Sequence, residues 1–146
     1  MSSYVCFYVE KNGVYIPLTD YSRSNPMYQA AEYKVPYEDG VKLDEKVYHA
    51  IKEEFEEMIA RYEKSLKRYE HDIEFTRKVE GITLKEKLDA VEEYNSFIEE
   101  VSEELEMAKA QLNHLNFMYH NIVKWNCGEN NVWVGIEWNP NYKEED

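Results

Sequence analysis

The stretch from Gly81 to Ile122, GITLKEKLDAVEEYNSFIEEVSEELEMAKAQLNHLNFMYHNI, decides the fold. Val91, Tyr94, Ile98, Val101, Leu105, Ala108, Leu112, Leu115, Tyr119 and Ile122 follow one another at alternating steps of three and four. Side chains so spaced share one face of an α-helix, and the strict alternation is a heptad seam. Thr83-Leu84-Lys85-Glu86 opens the run as a capping box: the Thr hydroxyl and Glu carboxylate satisfy amides that a helix start leaves free. The sequence predicts a helix over 83–126, closed by Gly128.

Upstream, residues 41–80 contain neither Gly nor Pro. Val47, Ile51, Phe55, Met58, Tyr62, Leu66, Tyr69 and Ile73 recur there at the same steps, which predicts a first helix over 41–80. Gly81 is its expected stop. A linker this short makes the two helices antiparallel neighbours. Each needs an apolar partner for its seam, so the expectation is a coiled-coil hairpin.

The flanks read differently. Tyr4 to Val9 and Val14 to Ile16 are runs of β-formers around Asn12-Gly13, a pair that tolerates positive φ and signals a hairpin over 1–18, with Pro17 ending its second strand or placing that strand at an edge. Val132, Val134, Ile136 and Trp138 alternate with Trp133, Gly135 and Glu137, a strand over 131–138. The connector at 19–40 carries Tyr21, Tyr28, Tyr33 and Tyr37, and a short helix from Met27 to Tyr33 with Asn25 as its cap. Residues 139–146 form a polar tail expected to fray. The fold class is therefore α+β within a single domain. A long antiparallel helical hairpin carries, at its open end, a small antiparallel sheet made from the N-terminal hairpin and the C-terminal strand.

A formal charge of −13 over 146 residues repels phosphate backbones and anionic lipid, so neither direct nucleic-acid binding nor membrane docking is expected. Basic partners are favoured. The N-terminal residues hold no apolar run long enough for a signal peptide, which points to a cytoplasmic setting. There, a bridge between Cys6 and Cys127 has little support.

Chemistry-bearing motifs are absent: no Gly-x-Ser-x-Gly, no phosphate-binding Gly-rich loop, no dinucleotide fingerprint and no His-Glu-x-x-His. Glu45 and His49 sit four apart but lack further ligands. No catalytic residue, metal site or cofactor is expected.

The candidate partner-binding residues are Asp89, Glu92, Glu93, Glu99, Glu100, Glu103, Glu104 and Glu106, a stripe that no Lys or Arg interrupts. Two readings stand. Arg61, Lys64, Lys67, Arg68, Arg77 and Lys78, on the neighbouring half of the first helix, neutralise the stripe within the hairpin. Alternatively the stripe imitates a row of phosphates and occupies a basic groove on another protein. Phe75, Phe97 and Phe117 lie outside the seams and mark a surface for homodimer formation. Tyr15, Trp133 and Trp138 around the sheet offer a stacking surface for a planar ligand, with Arg23, Lys34 and Lys124 as a conceivable phosphate clamp.

Together these features describe a non-enzymatic protein-binding module, an inhibitor or adaptor. The alternatives are a structural oligomer and a nucleotide-sequestering protein. In size and character the chain resembles small accessory proteins that phages use to block host enzymes, nuclease inhibitors among them. The resemblance is one of type and rests on no motif.

Overall fold

The computed structural model describes residues 3–123 and 131–142. They form β1 (Tyr4–Lys11), β2 (Val14–Ser22), α1 (Pro26–Ala31), β3 (Val41–Lys42), α2 (Glu45–Lys78), α3 (Leu84–Phe117), a π-helical turn (Met118–Val123) and β4 (Asn131–Ile136). The class is α+β: two long helices packed as a hairpin, and an antiparallel sheet of order β2-β1-β4-β3. The chain divides into two compact units, Met1–Glu56 with Ala110–Asp146, and Glu57–Lys109. Gly128 and Cys127 lie outside the described residues, as do positions 124–126 of the expected second helix and positions 143–146 of the tail.

The first unit holds the sheet, α1, the start of α2 and the end of α3. Asn12 (φ 54°) and Gly13 (φ 80°) make the β1–β2 turn, the conformation a two-residue hairpin of type I′ demands. The second strand does not stop at Pro17 but runs on to Ser22. The pairing shifts between Phe7, opposite Thr19, and Tyr8, opposite Pro17, so Leu18 is the extra residue of a bulge. β2 is an edge strand, where the missing N–H of Pro17 costs no ladder bond. Val5, Phe7, Val132, Val134 and Ile136 alternate onto one face and are fully buried, together with Leu43, Tyr48, Ile51, Phe55 and Leu115 from the segments that cover it. Each such aliphatic or aromatic side chain contributes about 1.5–3 kcal/mol by leaving water.

Two features of this unit had no local signal. β3 is only two residues long, and the Leu43 amide donates to the Val132 carbonyl beside it. The backbone of Asp39 lies against Gly135, where any Cβ would fall inside the carbonyl oxygen, and the Trp138 indole covers Gly40. The α1 cap also differs from expectation. Asn25 occupies the cap position, yet its side chain makes no cap bond. The exposed amide is satisfied instead by Gln111 of α3, whose Oε1 accepts from Met27 N at 2.7 Å while its Nε2 donates to Asn25 Oδ1 at 2.8 Å. Met27, Tyr28, Ala30 and Ala31 can then be buried without an orphan donor.

The second unit is the hairpin proper. The capping box forms as expected: Glu86 N donates to Thr83 Oγ1 at 3.1 Å, and Thr83 N donates to Glu86 Oε2 at 3.4 Å. α2 ends at Lys78, ahead of the expected stop, and Gly81 takes φ 91° within the turn that follows. Tyr69 packs on Tyr94 and Phe97 at centroid separations of 6.3 and 5.6 Å, Tyr62 lies beside Glu104, and Lys87 Nζ donates to the Arg77 carbonyl at 3.1 Å. These pairs set the antiparallel register.

Gly135→Ala should destabilise the chain by about 1–3 kcal/mol, because the new methyl meets backbone and not a movable side chain. A lower urea midpoint with an unchanged slope is the expected result. Gln111→Ala leaves the Met27 amide buried and unpaired and should cost a further about 1–3 kcal/mol, measured the same way.

Candidate functional site

Around α3, each residue advances by about 100°. Asp89, Glu92, Ser96, Glu99, Glu103 and Glu106 step by three and four, as the seam does, but about half a turn away from it. Glu93, Glu100 and Glu104 border this ridge. All eight acids are solvent-exposed. Among the described residues, no salt bridge joins any of them to a base; Arg77 and Lys78 of α2 pair instead with Glu74 of their own helix. The expected neutralisation of the stripe by α2 is thus not made through ion pairs. The reason is angular. Arg61, Lys64, Arg68, His71, Phe75 and Lys78 form a ridge on α2 that also lies nearly half a turn from its own seam, so each charged ridge points away from the other helix. Sign along the chain suggested neighbours, whereas position around each helix separates them.

Glu104, though exposed, contacts α2. Its carboxylate lies beside the Tyr62 hydroxyl, whose pKa is raised by burial first and by that carboxylate second. All eight acids keep the exposure that an electrostatic docking face needs.

Of the three expected dimer-forming phenylalanines, Phe75 and Phe97 lie in the second unit and Phe117 in the first. Phe75, 64% exposed, stands on the outer ridge of α2, and Phe97, 37% exposed, flanks the seam against Tyr69. Phe117 belongs to the first unit, where it lines an apolar groove with Leu18, Met118 and Ile122. At the groove rim the Tyr21 hydroxyl bonds His114 Nδ1 at 2.8 Å. Next to it the Tyr48 hydroxyl donates to Asn116 Oδ1 and lies 3.2 Å from His120 Nε2, and the Tyr48 ring stacks on Tyr119 at 4.0 Å. His114 and His120 therefore serve different tyrosines.

On the other face of the sheet the expected aromatic group assembles and gains a member. Tyr15 meets Trp133 and Trp138 at 6.1 and 5.8 Å, Tyr8 meets Trp138 at 5.3 Å, and Lys42 Nζ sits 5.8 Å over the Trp133 ring. Trp133 Nε1 is buried and has no hydrogen-bond partner among the described residues. The tyrosine contacts are edge-on, so the rings fill the space between them. Among the described residues, the bases expected to form a clamp do not meet: Lys34 pairs with Glu54 at 3.6 Å and Arg23 is exposed; Lys124 lies outside the described residues.

Among the described residues no group of three or more His, Cys, Asp or Glu could hold a metal ion, and no helix is long and apolar enough to cross a membrane. Glu45 and His49 form a surface pair at 3.9 Å. No protein-family model, curated protein or solved structure matches this chain.

Burial pushes the Cys6 thiol above its usual range, the nearby Asp20 carboxylate adds to this, and a backbone hydrogen bond at Trp138 opposes it. The thiolate fraction near neutral pH is correspondingly small. Alkylation of Cys6 at about pH 8 should be slower than that of a free thiol of pKa about 8.5. Asp20→Asn should speed it, as read by peptide mapping.

Proposed function

We propose that this chain is a non-enzymatic protein-binding module, an inhibitor or adaptor, whose α3 face docks on a basic surface of a partner protein. The observation that supports the reading is the exposed acid ridge, opposite the seam and free of salt bridges to the described bases of its own chain. Carboxylates held at helical spacing on a packed hairpin present a pre-arranged row of negative charge. Such a row speeds capture of a basic groove and selects against acidic competitors. A nucleic-acid-binding groove has the required sign and elongated shape. The type resemblance to phage proteins that block host enzymes fits this mode of action, and a cytoplasmic setting fits the target.

A second reading rests on the sheet. A small planar ligand carrying an acceptor would have to displace one of the edge-on contacts among Tyr8, Tyr15, Trp133 and Trp138 to stack there and reach the buried Trp133 indole N–H. Quenching of tryptophan fluorescence by a nucleotide panel, with a matching thermal shift, supports it; no change with any nucleotide removes it.

For the leading reading, affinity capture from a host lysate at low salt, followed by mass spectrometry, should retain a basic protein that elutes as salt rises. Replacing Glu99, Glu100, Glu103 and Glu104 together by Gln should weaken retention at least about tenfold, since several charge contacts of up to about 1 kcal/mol each are lost at once. Retention unaffected by the four substitutions overturns the assignment of the α3 face.

A further inference from the structure

The same hairpin carries a second charged ridge of opposite sign. On α2, Arg61, Lys64, Arg68, His71, Phe75 and Lys78 occupy one outer row with Lys67 beside it, all exposed; Lys78 pairs with Glu74 at 3.6 Å and His71 lies 4.0 Å from Asp72, while Arg61, Lys64, Lys67 and Arg68 make no salt bridge among the described residues. The row spans about 26 Å, and the acidic row from Asp89 to Glu106 spans about the same length.

The two rows also lie level. Tyr62 is beside Glu104, Tyr69 beside Phe97, and Arg77 beside Lys87. Arg61 is thus level with the Glu103–Glu106 end, and Lys78 with the Asp89 end.

We infer that copies of this chain associate side by side through the second unit, the acidic α3 ridge of one protomer against the basic α2 ridge of the next. A lateral translation with no stagger brings the two rows together over their full length. Charge sign excludes the two-fold alternatives on these ridges, since they set acid against acid or base against base. The contact is therefore heterologous and repeats from copy to copy. The net charge of −13 acts at longer range and is screened beyond about 10 Å at 0.1 M salt, whereas the ridges meet at contact distance.

This goes beyond the partner reading, although both use the α3 ridge: a basic partner competes with the next copy. The test is sedimentation of the full chain with paired charge reversals. At about 0.1 M salt the weight-average mass should rise with concentration to at least twice that of the monomer, and return to the monomer at about 1 M, where screening acts over about 3 Å. Glu99→Lys with Glu103→Lys should remain monomeric, as should Lys64→Glu with Arg68→Glu. An equimolar mixture of the two should associate, because each now offers what the other lacks. That rescue also shows both variants to be folded.

A wild-type chain that stays monomeric at every concentration overturns the inference. So does association that persists at high salt, or a mixture that fails to associate. The Lys64→Glu, Arg68→Glu variant keeps the whole acidic ridge. Its capture of a basic partner reports on the proposed function separately from self-association.

Discussion

Everything in the hairpin depends on one constraint: two apolar seams at three-four spacing must hide from water, and each has the other as its nearest cover. At 34 residues each, the helices draw most of their stability from this packing and not from propensity. Once the seams meet, the angular position of every other residue follows. Charges cannot lie between the helices, so they are pushed to the outer sides, acids on α3 and bases on α2. The functional surfaces are thus a by-product of core packing, made from positions that the core does not use.

The first unit solves a different problem. Its sheet is small, and one of its edge strands is two residues long. The other edge, β2, is blunted by Pro17 and by the bulge at Leu18. These devices discourage unplanned strand pairing. The covered face is sealed by aliphatic and aromatic side chains. On the other face, Tyr8 and Tyr15 meet Trp138 edge to face, and Gly40 and Gly135 let the backbone and the Trp138 ring come close. Gln111 links α3 to α1 by replacing a cap that local sequence assigns to Asn25.

Elements with a strong local signature were legible from the chain alone. The Asn12-Gly13 turn, the Thr83–Glu86 box, Gly81 and both seams each carry their cause within a few residues. What escaped was set by distant partners. Val41–Lys42 becomes a strand because β4 lies beside it, and β2 outruns Pro17 because a bulge realigns it with β1. Trp133, Trp138 and Tyr15 were legible as a group, but not that their rings occupy one another's space. For the candidate site, the acids themselves were plain in the sequence. Their separation from the α2 bases was not, because a list of charges along the chain omits the angle around the helix.

The hairpin register is the claim from which the charged faces derive. Nitroxide labels at Ser65 and Ser102, with the native cysteines replaced by Ser, measure it directly. The account predicts a separation set by neighbouring helix axes, about 10 Å plus the label arms. A separation near 55 Å, the length of 37 residues in one continuous helix, would contradict it.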